Sequence, residues 1–130
     1  MFGKKSLRGM RIAALTADGV EQVELTVPVR ALRKAGATVD VVALRPGRLL
    51  AMNHHEPGSR FRVDVPISEA DPAAYDGLFL PGGLLGPDAL RQSQDARRFV
   101  QGMDAAGKPI AAICHGAWLL SSAGLAGGRV

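Results

Sequence analysis

At 130 residues the chain is one domain, long enough to enclose a real core, and its 47% hydrophobic and 22% charged content is that of a soluble globular protein. The net charge of +4 is spread along the sequence without a long basic block, and 5% aromatics leave little to stack on bases, which argues against nucleic-acid binding. A single cysteine cannot form an internal disulfide, and no long apolar segment follows the basic N-terminus, so neither a signal peptide nor a membrane span is expected and the predicted compartment is the cytoplasm.

Residues 1–10 read as a flexible lead-in and 11–130 as a single α/β domain. Arg11 to Ala17 is a short apolar run closed by Asp18-Gly19, hence a first buried strand and its turn. Val20 to Ala35 has mostly helical spacing and stops at Gly36, with Pro28 predicted to kink or restart it. Thr38 to Leu44 is β-branched and alternating, the second strand. Arg45 to Gly58 is read as a Pro/Gly-punctuated loop carrying His54, His55 and Glu56, and Phe61 to Val65 as a strand with one wet face. A polar connection over Ser68 to Asp76 leads to the buried strand Gly77–Leu80 and the tight turn Pro81-Gly82-Gly83. One helix is predicted over Asp88–Ala106, with Phe99, Val100 and Met103 on its apolar face and Gly107 as its stop.

The last strand, Pro109 to Ile113, ends at Cys114-His115-Gly116, and Trp118, Leu119 and Leu120 then read as a short helix. A cysteine on a sharp strand-to-helix turn is the layout of a nucleophile elbow, and the helix N-terminus favours its thiolate. The plainer reading is a small buried hydrophobe. Strand–helix alternation implies a doubly wound, mostly parallel sheet with helices on both faces, whose ligands sit at the carboxyl ends of the strands. Asp18 to Glu21, Pro81 to Gly83 and Cys114-His115 all fall at that edge, which favours the functional reading. Glu21 is then the candidate to share a proton with the thiol, against the alternative of a solvated first-turn carboxylate. His115 is a candidate base or a backbone donor to an oxyanion. Asp88, otherwise an ordinary helix N-cap, is the best carboxylate to orient it, from the same chain or a second copy. His54 and His55 lack a spaced third ligand, so they read as a pocket wall and no metal site is expected. The glycines over 82–86 do not form a dinucleotide or phosphate-loop signature.

Four segments in the right order make the chain resemble the PfpI branch of the ThiJ/PfpI superfamily, related to class I glutamine amidotransferases. They are Leu15-Thr-Ala-Asp-Gly-Val-Glu21-Gln-Val-Glu24-Leu25, Leu80-Pro-Gly-Gly83, Pro87-Asp88-Ala-Leu-Arg91 and Gly107-Lys-Pro-Ile-Ala-Ala-Ile-Cys114-His115-Gly116. The resemblance implies a flavodoxin-like fold and no cofactor. By it Cys114 is the nucleophile, Glu21 the protonated carboxylic acid hydrogen-bonded to it, His115 the second catalytic residue, and Asp88 an acidic partner reaching across a subunit interface of a homo-oligomer. The backbone N–H groups of Gly83 and His115 would form the oxyanion hole, while Gly82, His54 and His55 would border the substrate pocket. Implied activities are glutathione-independent glyoxalase, deglycase acting on glycated proteins, and intracellular cysteine peptidase, in stress defence.

Two departures from the family pattern stand out. Ala117 replaces the usual Pro after Cys-His-Gly, and the sequence stops at Val130, before the strands and closing helix with which such proteins continue. The expected fold therefore lacks its C-terminal strands and helix, which would expose a sheet edge. A reactive small aldehyde or a glycated protein is the leading substrate expectation. The rivals are a peptidase using the same cysteine, a redox sensor or holdase whose Cys114 is oxidised without turnover, and an inactive remnant.

Overall fold

The computed structural model describes residues 6–83 and 85–112, the side chains of residues 85–87 excepted. In chain order its strands are β1 (Arg11–Thr16), β2 (Thr38–Ala43), β3 (Arg48–Asn53), β4 (Glu56–Arg62), β5 (Val65–Pro66), β6 (Gly77–Leu80) and β7 (Ile110–Ala112). Its helices are α1 (Gln22–Lys34), α2 (Leu85–Arg91) and α3 (Gln94–Ala105), and short 3₁₀ turns at Ile67–Glu69 and Pro72–Ala74 join β5 to β6. Five strands form one sheet in the order β5-β2-β1-β6-β7, parallel throughout, while β3 and β4 pair antiparallel as a separate hairpin. This is the mostly parallel, flavodoxin-like α/β arrangement that the alternation of strand and helix signals implies.

A parallel sheet must be covered on both faces, and the side-chain alternation along β1 shows how that is met. Ile12 and Ala14 join Leu25 and Val29 of α1, Val39 and Val41 of β2, and Phe79 of β6 in one core layer. Ala13 and Leu15 join Leu78 and Leu80 of β6 with Phe99, Val100 and Met103 of α3 in the other. Leu15, Leu80 and Met103 are fully enclosed, and burial of each such side chain contributes about 1.5–3 kcal/mol. The chain ahead of β1 is tied to the body as well, since the Leu7 N–H donates to the Ala35 carbonyl at 2.9 Å.

Three elements differ from the sequence expectation. Of the two outcomes expected at Pro28, a kink or a restart, the restart does not occur: α1 runs through Pro28 as one helix. Leu25 and Val29, on either side of that residue, are both buried in the same layer, and this packing outweighs the backbone bond that a proline cannot make. The single helix expected over Asp88–Ala106 is two, because Ser93 accepts a hydrogen bond from the Ala96 N–H at 3.1 Å and so caps α3 anew. The expected loop over Arg45–Gly58 contains β3 and the start of β4: Leu49 and Ala51 both enter the α1-side core, Pro46-Gly47 precedes β3, and Pro57-Gly58 lies within β4, with Pro57 opposite Met52. Its partner β4 ends at Arg62, so the alternating run Phe61–Val65 is divided between β4 and β5.

Candidate functional site

From β1 the chain passes to β2 on one flank and later to β6 on the other, so the sheet order reverses between β1 and β6. Ligands of doubly wound sheets settle at that crevice, beyond the carboxyl ends of the strands. The segments leaving the sheet there are Ala17–Glu21 after β1 and Pro81–Gly83 after β6, and they are bonded to each other. The Glu21 N–H donates to the Gly82 carbonyl at 3.2 Å. Gly83 has φ +107°, and a Cβ placed on it would lie 2.6 Å from the Glu21 nitrogen and 3.2 Å from the Gly19 oxygen. Only glycine combines that backbone angle with so close an approach.

Glu21 is the N-cap of α1, yet its side chain makes no bond to its own helix. Both carboxylate oxygens instead accept the His54 N–H, at 3.1 and 3.3 Å, and the His54 Nδ1 lies 3.9 Å away. His54 and His55 form the two-residue turn of the β3–β4 hairpin, with His54 in the left-handed region at φ 57°. A non-glycine residue rarely sits there, and the bond that the His54 N–H donates to the Glu21 carboxylate helps hold it. Gln22 adds a second clamp, its Oε1 accepting the Ser59 N–H at 2.8 Å. The Met52 N–H donates to the Val20 carbonyl at 2.8 Å. The hairpin tip is thus docked on the start of α1, which brings His54 to Glu21; the His54 side chain itself is 90% exposed.

Glu24, in the first turn of α1, was not singled out by sequence reasoning for a role in the chemistry. Its Oε1 is buried and has no hydrogen-bond partner among the described residues. Buried polar atoms are nearly always paired, so an orphan at the start of a helix bordering the crevice needs a reason. The sequence signal available was the Glu-x-x-Glu spacing over Glu21–Glu24, which puts two carboxyls one helical turn apart and does not say which is committed elsewhere.

Asp88 lies in the first turn of α2 and not at its N-cap. Its half-exposed carboxylate accepts from Gln92 Nε2 at 3.4 Å and approaches Arg91 at 3.7 Å. Cys114 and His115 lie outside the described residues; β7 ends at Ala112, which pairs with Leu80 at the end of β6. Glu21, Gly82, Gly83 and His54 are therefore brought together, while Asp88 stands on a separate helix. Among the described residues no group of three or more His, Cys, Asp or Glu side chains could hold a metal ion, and no helix is long and apolar enough to cross a membrane.

Comparison with known proteins agrees with this architecture. The DJ-1/PfpI family profile matches residues 10–130. A deglycase of Thermococcus kodakarensis is 36% identical over 120 residues, covering 92% of this chain and 69% of the relative. Protein/nucleic acid deglycase 2 of Escherichia coli is 38% identical, with 92% and 67% covered. YraA of Bacillus subtilis, named as a candidate cysteine protease, is 34% identical, with 92% and 68% covered. Among solved structures, oxidized DJ-1 of Toxoplasma gondii superposes with a TM-score of 0.82 at 28% identity, covering 92% of this chain and 64% of that one. A two-domain protein of Anabaena variabilis with DJ-1/ThiJ/PfpI-like and ferritin-like domains gives a TM-score of 0.82 at 30% identity, and this chain spans 32% of its length. With a family profile matched almost end to end and the fold of the sheet shared with those structures, this chain belongs to the DJ-1/PfpI family.

Proposed function

We propose that this chain is a cofactor-independent cysteine enzyme acting on reactive aldehydes or on the adducts they leave on proteins, in stress defence in the cytoplasm. The observation that carries this reading is the buried Oε1 of Glu24, without a partner among the described residues, in the first turn of the helix whose N-cap touches Gly82. A thiol at Cys114 would supply the missing partner. Glu21 has its carboxylate committed to the His54 amide, so the role of proton-sharing acid falls to Glu24, with Glu21 as the residue that positions the hairpin. Support for Cys114 at this edge comes from β7, whose final residue Ala112 is in register with Leu80, immediately before Pro81-Gly82-Gly83.

In this mechanism the Cys114 thiolate adds to the aldehyde carbon and the carbonyl oxygen takes a proton, giving a thiohemiacetal. For methylglyoxal, transfer of the hydrogen from that carbon to the neighbouring ketone carbon oxidises the first and reduces the second, leaving a lactoyl thioester. Water then releases lactate and restores the thiol, so no external oxidant or reductant enters. His115 and Glu24 move the protons, and the N–H groups of Gly83 and His115 receive the developing oxyanion. Asp88 of a second copy orients His115 in a homo-oligomer, and His54, His55 and Gly82 border the substrate.

The test is lactate formation from methylglyoxal without glutathione. The parent chain should turn over and Cys114→Ala should not. Glu24→Gln should lose about a hundredfold or more of kcat/KM, the size of a lost acid–base contribution, whereas Glu21→Gln should lose far less. Equal activity in the parent and Cys114→Ala would sink the proposal. A second reading, peptide hydrolysis through an acyl-enzyme on the same cysteine, is favoured by the name of the Bacillus subtilis relative. Cleavage of a fluorogenic peptide by a chain inert to methylglyoxal would put it first.

A further inference from the structure

At the same carboxyl edge, on the β2 side of β1, lies a cavity of about 240 Å³ whose lining, among the described residues, includes neither Glu24 nor Asp88. Ala17, Ala43, Leu49 and Val63, all buried, form its apolar part. Its polar part is Asp18, Arg45 and Arg48. Asp18 is fixed twice, accepting the Leu50 N–H at 2.7 Å through Oδ1 and the Arg45 guanidinium through Oδ2. That pair cancels in charge. Arg48 is exposed and has no hydrogen-bond or ion-pair partner among the described residues, so one net positive charge remains at the mouth. The turn that spaces the two arginines is itself anchored, because the Gly47 carbonyl accepts the Val63 N–H at 2.8 Å.

A guanidinium offers a planar fork of donors that matches a carboxylate or a phosphate, and here a second one, paired with Asp18, lines the same cavity. The volume lies below that of pockets for drug-sized ligands, which run from about 300 Å³ upward, so the occupant is small. One backbone segment, Ala17–Glu21, walls this cavity at its start and touches the Gly82-Gly83 turn at its end.

We propose that the cavity is a subsite for the oxyanion group, carboxylate or phosphate, of a small carbonyl compound, with Arg48 as the charge partner and the Asp18-held Arg45 as the second donor. That the compound is a carbonyl substrate rests on the aldehyde reading above. The oxyanion site itself rests on the cavity and is tested without any turnover.

The experiment is an amide ¹H–¹⁵N NMR titration of the full chain with pyruvate, with inorganic phosphate, and with hydroxyacetone as the uncharged counterpart of pyruvate. Saturable shifts at Asp18, Arg45, Arg48 and Leu49 are expected with an anion and absent with hydroxyacetone. Saturation by pyruvate alone identifies a carboxylate site, and saturation by phosphate alone a phosphoryl site. Arg48→Gln should weaken binding about tenfold, Arg48→Lys should restore part of it, and Arg30→Gln, on α1 outside the cavity, should leave it unchanged. Shifts of equal size with hydroxyacetone, shifts confined to other residues, or unchanged affinity in Arg48→Gln would overturn the proposal. Binding in a chain that turns over no aldehyde would leave the oxyanion site standing and remove the aldehyde reading instead.

Discussion

Tyr75 is the only tyrosine of the chain, and it joins a small polar cluster at the opposite edge of the sheet from the crevice. Its hydroxyl donates to Asp40 at 2.8 Å, Arg11 pairs with the same carboxylate oxygen at 2.9 Å, and the Arg11 guanidinium lies 5.0 Å from the ring centre. Burial of the ring, then the hydrogen bond and the charge of Asp40, push the phenol's pKa above its ordinary value, with Arg11 opposing weakly. A folded pKa above the unfolded one means that the native state holds its proton more tightly. The associated stability is therefore full below pH of about 10 and falls as pH rises from there toward the folded value. Ultraviolet titration should show phenolate forming later in the native chain than in the chain in denaturant. In Tyr75→Phe, which loses about 1 kcal/mol by removal of the bond to Asp40, the alkaline decline should flatten. Gly83 is a residue whose identity is dictated locally: Gly83→Ala places a methyl against the Glu21 nitrogen at a left-handed backbone angle. The expected loss is about 2 kcal/mol or more, read as a lowered thermal midpoint.

Among the elements, the β3–β4 hairpin is held at the start of α1 by backbone bonds at Gly19 and Val20, by core packing of Leu49 and Ala51, and, at its tip, by the Glu21 side chain. Glu21→Ala should leave the His54 amide without its carboxylate acceptor and cost about 1–2 kcal/mol. Hydrogen exchange should accelerate at His54 more than at the central sheet, because only the hairpin tip is released. If exchange rose equally throughout, Glu21 would be holding the whole fold and not one element. At the α2–α3 break, Ser93→Ala should cost about 1 kcal/mol through loss of the cap on α3. Much of this was legible in sequence: β1, β2, β6, β7 and α1 fall where apolar runs and glycine stops put them. β3 was not, because its strand character lies in Leu49 and Ala51 facing a core that only the folded chain supplies. Ser93 was a readable cap signal, yet the apolar stripe continuing through Phe99 and Met103 concealed the break.

For the whole molecule, covered length bears on function, since 120 aligned residues amount to 69% of the Thermococcus kodakarensis relative. What this chain does contain is the crevice between β1 and β6 and the segments that border it. The sequence by itself determined the layered α/β architecture, because runs of buried β-branched and aliphatic residues alternating with amphipathic ones can be buried together only as a covered parallel sheet. It also determined the family, through four short motifs in a fixed order, and which segments reach the carboxyl edge. Tertiary structure alone decided how the two carboxylates at the start of α1 divide: the N-cap Glu21 and the first-turn Glu24 are one turn apart and chemically alike, and only the docking of the hairpin occupies one of them. The pairing of Asp18 with Arg45, which leaves Arg48 without an ion-pair partner among the described residues, was decided the same way. Which charge meets which depends on backbone segments distant in sequence coming within hydrogen-bonding reach, and hydrophobic periodicity carries no record of that.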